Sequence, residues 1–147
     1  MTNITGGTAA SLMRFATKTL TYTGAADLGA IGNVPLFTVT GEVLIVAIVP
    51  FCSTDLVGTT ATQVLGVTGN TNLFVLITTA TDIDAGDFWV DATPTEVGGI
   101  ALPAALKDIV ITDNIVGTVA TAAITAGVIR YDVYWMPLSS GSSVVAA

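Results

Sequence analysis

The chain has 147 residues, of which 52% are hydrophobic and 10% are charged, and its formal net charge at pH 7 is −7. This length is the usual size of one domain, but a soluble domain has about 25% charged residues. A monomer with so few ions would expose larger apolar patches than soluble proteins tolerate. We therefore expect a homo-oligomer, and among closed oligomers a trimer.

The charge pattern also excludes classes of partner. The only cations are Arg14, Lys18, Lys107 and Arg130. Because they are scattered, no basic stripe exists to neutralise phosphates, and we expect no nucleic-acid partner. The longest apolar stretch, Val43 to Phe51, has nine residues, whereas a membrane helix needs about 20. We therefore expect no membrane partner.

Residues 1–17 are predicted to form an N-terminal arm. The first part has two glycines and no regular period, and Leu12, Met13 and Phe15 make its end apolar. Such an arm commonly docks on a neighbouring subunit. Folding back as an edge of its own core is an equally weighted alternative.

Residues 18–138 are predicted to form the domain. From Lys18 onward threonines alternate with apolar residues, a pattern typical of a half-buried strand. Val43 to Phe51 is apolar on both faces, so we expect one face to be covered by a second sheet and the other by a neighbouring subunit. Residues 63–67 and 73–78 are predicted to pair around a polar turn.

Two later segments share the pattern Ile-x-Ala-Gly, at 83–86 and 124–127, and each precedes an aromatic-bearing strand, 87–90 and 128–136. A glycine at the end of each turn indicates a left-handed residue. Between them, 91–108 has the length of a crossing between sheets. In the last strand, alternation predicts one face from Ile129 to Trp135 inward and the other outward.

About eight short strands at these spacings predict an all-β fold, an antiparallel β-sandwich. One long crossing and paired hairpins favour a jelly-roll-like arrangement. Residues 139–147 are predicted to be a flexible C-terminal tail, because Ser-Ser-Gly-Ser-Ser is a spacer composition. The final Val-Val-Ala-Ala is either frayed or an apolar plug for a partner.

The sequence offers little for catalysis. Histidine is absent, which removes the usual general base and the commonest metal ligand. Cys52 follows an apolar strand with no nearby cation, so we expect a buried, inert thiol. Asp82, Asp84 and Asp87 can hold a calcium ion only if loop carbonyls assist, and a solvated acidic turn is the favoured interpretation. We expect no enzyme, no catalytic or metal site and no cofactor.

The aromatic residues are the candidates for binding. Phe88 and Trp89 are neighbours on a predicted strand, so they point to opposite faces and one of them lies outside the core. We predict an interface that includes Trp89 and Tyr134 together with Leu12, Met13 and Phe15. Stacking of Trp89 or Tyr134 on a sugar is the alternative use of such rings.

Several short sequence segments carry a resemblance to a known group of proteins. They are the segments 37–41, 78–86, 89–94 and 134–138, the last followed by the Ser-rich tail. In these the chain resembles a family of small virion proteins of tailed bacteriophages. The resemblance implies a structural component of the particle, a capsid decoration protein on the head lattice, and brings no defined functional residues.

The expected function is therefore that of an oligomeric decoration, or cement, protein. Its partners would be its own copies and the major capsid protein, and its location the capsid surface after synthesis in the host cytoplasm. A carbohydrate- or receptor-binding module of a tail or head fibre is the alternative.

Overall fold

The computed structural model describes residues 12–95 and 98–147. Within these ranges the chain forms nine strands and two single 3-10 turns, Ala80–Asp82 and Ala104–Leu106. The strands are β1 (Arg14–Thr21), β2 (Gly32–Thr40), β3 (Val43–Val57), β4 (Thr62–Val67), β5 (Asn70–Thr79), β6 (Lys107–Ile111), β7 (Ile115–Ala120), β8 (Ala126–Pro137) and β9 (Ser143–Ala146).

The strands form two antiparallel sheets. One has the order β1-β8-β3-β6 and the other the order β5-β4-β7-β2-β9. One continuous hydrophobic core draws buried side chains from both sheets. The predicted all-β antiparallel sandwich is thus confirmed, with nine strands in the described residues against the eight or so expected. The connection from β5 to β6 crosses between the sheets, as its length indicated.

Strand β3 is the long central strand of the four-stranded sheet. Its inward side chains, among them Val43, Ile45 and Ile48, are fully buried against the second sheet. The intervening Leu44 and Val49 are only half-buried, because they point to the outer face of the four-stranded sheet. One of the two predicted covers is therefore present within the chain. The second, a neighbouring subunit, stays a prediction.

Both edges of β3 are hydrogen-bonded. One edge pairs along its length with β8, while the other pairs with β6 only from Val43 to Ala47. Beyond Ala47 this edge of β3 bonds to the segment 83–89. The amide of Cys52 donates to the Asp87 carbonyl at 2.9 Å, and the amide of Leu56 donates to the Ile83 carbonyl at 3.1 Å. The regular strand predicted at 87–90 is wrong. Instead, one edge of β3 bonds first to β6 and then, farther along, to the segment 83–89. The connection that crosses between the sheets joins these two segments.

Strand β8 confirms the alternation read from the sequence. Ile129, Tyr131 and Val133 are fully buried, whereas Arg130 and Tyr134 are exposed. The strand starts beside Gly127, whose φ of 115° is in the left-handed region expected for the end of this turn. Gly86, the corresponding glycine of the earlier turn, has a φ of 97°.

The predicted domain boundaries differ from the structure at both ends. Strand β1 begins at Arg14, inside the predicted arm 1–17, and forms an edge of the four-stranded sheet. For residues 14–17 the edge alternative therefore holds, while residues 1–11 lie outside the described residues.

The C-terminal segment is not a flexible tail throughout. Residues 143–146 form β9, which pairs with β2 and ends the five-stranded sheet. The Lys18 ammonium secures this end by donating to the Ala147 oxygen at 2.6 Å and the Pro35 carbonyl at 3.1 Å. Lys18 and Ala147 are 129 residues apart in sequence, so the local composition that predicted a spacer did not reveal their contact.

Candidate protein-interaction surface

Exposed apolar side chains gather at one end of the four-stranded sheet. At this end β1 and β3 begin, and β6 and β8 end. The strand pairing shows this: Arg14 is opposite Trp135, and Val43 is opposite Pro137 on one side and Ile111 on the other. We call the group the apolar cluster. Its members are Leu12, Met13, Phe15, Val110, Tyr134 and Leu138.

The pair Phe15 and Tyr134 forms the centre of the apolar cluster. The two residues are cross-strand neighbours on β1 and β8, and their ring centroids lie 5.0 Å apart. The side chains remain 54% and 45% exposed. Adjacent aromatic rings on a strand pair stabilise the sheet, but two rings that are half open to water also provide the rigid apolar area typical of interfaces.

The outer face of the sheet extends the apolar cluster. Leu44 lies between Met136 on β8 and Val110 on β6, and Val110 is 59% exposed. Val46 and Ala47, at the bulge of β3, are half-buried beside Tyr134. The apolar cluster is therefore continuous with the apolar outer side of β3.

A polar group lies farther along the same face. Arg130 donates from Nε to Asp132 at 2.8 Å, and its guanidinium lies 5.5 Å above the Phe51 ring. The second carboxylate oxygen of Asp132 accepts from Thr17 at 2.7 Å. The Arg130 side chain is half exposed and that of Asp132 is half-buried, so solvent screens the ion pair and it contributes little to stability. It leaves this part of the face without net charge.

Four of the five predicted interface residues lie in the apolar cluster, but Trp89 does not. Its side chain is 0% exposed, and its indole N–H donates to the Thr78 hydroxyl at 2.9 Å inside the core. The assignment of Trp89 to an interface is wrong. Alternation indicated that Phe88 and Trp89 point to opposite faces; the backbone pairing of Phe88 with Phe51 makes Phe88 the outward, half-buried residue of the two.

Sequence reasoning missed Val110 and Leu138. Val110 stands between Ile109 and Ile111 on β6, so period-2 alternation would have separated it from its inward neighbours. Leu138 directly follows β8, and its amide donates to the Glu42 carbonyl at 3.0 Å. The Ser-rich sequence after it gave no sign that Leu138 is held in place.

The acidic residues have structural contacts of their own. The Asp87 carboxylate is buried and accepts from the Asp84 amide at 2.9 Å, and Asp55 accepts from the Ala85 amide at 2.7 Å. Within residues 12–95 and 98–147, no three acidic, cysteine or histidine side chains are placed to hold a metal ion. Asp82, Asp84 and Asp87 thus form an acidic turn that is braced by hydrogen bonds.

Three buried groups, the Cys52 thiol and the Tyr22 and Tyr131 hydroxyls, are held in their neutral forms. Burial raises the pKa of the Cys52 thiol to about 11, and neighbouring carboxylates add to the effect. The Tyr22 and Tyr131 hydroxyls are 2.9 Å apart, and desolvation raises the pKa of each well above its ordinary value. Tyr22 also donates to Gln63 at 3.0 Å. Such groups satisfy core polar atoms and provide no nucleophile at neutral pH.

The part of the chain that the structure describes has no pocket for a small ligand. None of the helical turns in the same residues has the length and apolar character of a membrane-spanning helix. Comparison with known proteins yields no matching protein family, no matching curated protein and no matching solved structure.

Proposed function

We propose that this protein is a non-enzymatic structural component of a tailed-phage virion, an oligomeric decoration protein that binds the head lattice. The apolar cluster is the observation that carries the proposal. Large apolar side chains gathered at one end of a sheet, on a charge-poor surface, are typical of a site for another protein.

The order of the strands supports the finer assignment of a jelly roll. Strands β1-β8-β3-β6 in one sheet and β5-β4-β7-β2 in the other are the order that two interlocked Greek keys produce. Viral capsid domains and lectins both use this architecture. Because a fold hosts many functions, the choice between them depends on the exposed surface.

The proposed mechanism is mass action. A protein that binds only the assembled, expanded shell lowers the free energy of that shell and not of its separated subunits. Neither a bound cofactor nor a reactive side chain is needed. The copies of this chain and the major capsid protein are the two partners that this mechanism requires.

The direct test uses capsids that lack the protein. Purified wild-type chain is mixed with emptied capsids, the capsids are pelleted, and the bound chain is quantified. We expect saturable binding and a higher temperature of capsid disruption. A chain that stays in the supernatant at every concentration would contradict the proposal.

A carbohydrate- or receptor-binding module is the second candidate, and the exposed Tyr134 ring is the observation that favours it. Aromatic rings at a surface stack on sugars, but the burial of Trp89 leaves Tyr134 as the one ring of the two that is available for this. Binding of the wild-type chain to a glycan array, abolished by Tyr134→Ala, would favour this function over the first.

A further inference from the structure

Two carboxylates lie beside one side of the apolar cluster. Glu42 directly precedes β3 and is held against Leu138: the Leu138 amide donates to the Glu42 carbonyl at 3.0 Å, and the Glu42 amide donates to the Ser139 hydroxyl at 3.0 Å. Asp108 lies two residues before Val110 on β6, and both are exposed. Since residues two apart on a strand point to the same face, Asp108 is on the face of Val110. We call Val110 and Leu138 with these two carboxylates the acidic side of the apolar cluster.

The other side of the apolar cluster has no such carboxylates. Phe15 and Tyr134 lie on β1 and β8, which are three strands and two strands away from β6. At about 4.8 Å per strand, β1 is roughly 14 Å from β6. Asp132 is the only acidic residue on β1 and β8, and its carboxylate is bonded to Arg130 and Thr17. The unpaired negative charge of this surface is thus concentrated on the acidic side.

The chain itself offers little to neutralise these carboxylates. Of its four Lys and Arg residues, Arg130 is in an ion pair, Lys18 donates to two backbone oxygens, and Arg14 has contacts of its own. In the part of the chain that the structure describes, this leaves Lys107, the direct neighbour of Asp108 in sequence. A second copy that presented Lys107 would therefore present Asp108 as well, and like charges across an interface are unfavourable.

We propose that the acidic side of the apolar cluster binds a protein other than this chain, one that presents a large apolar side chain with Lys or Arg residues around it. The inference rests on the capsid binding of the proposed function and identifies the chemistry of the partner surface, which in a decorated particle belongs to the major capsid protein. Val110, 59% exposed, and Leu138, 52% exposed, provide the apolar contact. The carboxylates of Glu42 and Asp108 accept from the partner's cations. The other side of the cluster stays available for a second copy.

The charge of the whole chain favours the same kind of partner. With a net charge of −7, the chain attracts a basic surface over about one Debye length, which is about 10 Å at 0.1 M salt. Charges at the rim of an interface mainly change the association rate and its dependence on salt. Binding through the acidic side should therefore weaken as the salt concentration rises, in proportion to the part of the affinity that the two carboxylates supply.

The test removes the two charges with isosteric substitutions. Glu42→Gln and Asp108→Asn are combined in one chain, since Asn also adopts the left-handed φ of 57° at position 108. The matched control combines Asp82→Asn and Asp84→Asn, which removes two exposed carboxylates in the turn that bonds to the far end of β3. Circular dichroism establishes that each chain is folded, and sedimentation velocity gives its mass. Binding to emptied capsids is measured by pelleting at about 0.05 M and about 0.5 M NaCl.

At the lower salt concentration we expect the variant without Glu42 and Asp108 to bind capsids at least about fivefold more weakly than wild type, and the control to bind within about twofold of wild type. At the higher salt concentration the Debye length is about 4 Å, so the difference should shrink to below about twofold. The mass of the variant in solution should equal that of wild type.

Two results would overturn this contact while leaving the proposed function intact. One is a variant that binds capsids as tightly as wild type at the lower salt concentration. The other is a variant whose mass in solution differs from that of wild type, because the two carboxylates would then lie between copies of this chain. Wild type that does not bind capsids at either salt concentration rejects the proposed function and this contact with it.

Discussion

Replacement of Trp89 by alanine tests whether this residue stabilises the core of one chain or belongs to an interface between chains. The indole is fully buried and has one hydrogen bond, to Thr78. A Trp side chain buries about 200 Å², which at about 25 cal/mol per Å² corresponds to an upper value of ~5 kcal/mol. Measured Trp-to-Ala substitutions in cores cost about 3–5 kcal/mol. We expect Trp89→Ala to lower the free energy of unfolding by about 4 kcal/mol.

Urea unfolding followed by circular dichroism provides the assay. With a denaturant slope of about 2 kcal/mol per M, the midpoint should fall by about 2 M. All chains are compared at one concentration, because association stabilises the folded state by mass action. Leu76→Ala is the control: the side chain is 60% exposed on the edge strand β5 and lies outside the apolar cluster, so we expect a loss below about 1 kcal/mol. Equal midpoints for wild type and Trp89→Ala would refute the placement of this residue in the core.

Three further outcomes follow from the structure. A Cβ on Gly127 would lie 2.6 Å from the Asp55 carbonyl oxygen, whereas a Cβ on Gly32, at a similar φ of 123°, would meet nothing within 4 Å. Gly127→Ala should therefore lower the thermal unfolding midpoint several degrees more than Gly32→Ala. Equal effects of the two substitutions would contradict the packing at this turn. The pKa of Cys52 is about 11 against an ordinary 9, so the thiol should react with a disulfide reagent at pH 8 at least 100-fold more slowly in the folded chain than in urea. The free energy of unfolding should fall as the pH rises from 9 toward 11, because only the unfolded chain releases the proton readily in this range. Fast labelling of the folded chain would contradict the burial of Cys52. Lys18→Met should remove the hydrogen bonds that secure the last residues and speed amide hydrogen exchange in β9, and unchanged exchange there would show that pairing with β2 alone holds this strand.

The features with a local period were predictable. Alternation in β8 assigned each side chain from Ile129 to Trp135 to its face, and the apolar run from Val43 to Phe51 identified the central strand, although β3 continues to Val57. Both depend on period 2, which every strand imposes on its own residues.

The features that depend on distant contacts were not predictable. Alternation separates Phe88 from Trp89 but does not say which one faces the core; that is decided by bonding to β3 and by the Thr78 hydroxyl on β5. The C-terminal strand is held by Lys18, which lies 129 residues before the end of the chain. In both cases the partner is far away in sequence, so no local pattern indicates it.

The candidate surface was predictable only in part. Leu12, Met13, Phe15 and Tyr134 were predicted as interface residues from their composition, and antiparallel pairing of β1 with β8 brings them together. Leu28 and Ile31 are exposed, isolated apolar residues in the connection from β1 to β2, which is rich in Gly and Ala. Only the fold brings this connection to the end of β3, where residues 124 and 125 bond to Gly29 and to Val57.

The mass of the wild-type chain in solution tests the central claim most directly. Sedimentation velocity at micromolar concentration should show an oligomer, with three times the 14.9 kDa of one chain for the trimer that we propose. A single species at 14.9 kDa that does not change with concentration would contradict the account, because the apolar cluster would then remain open to water.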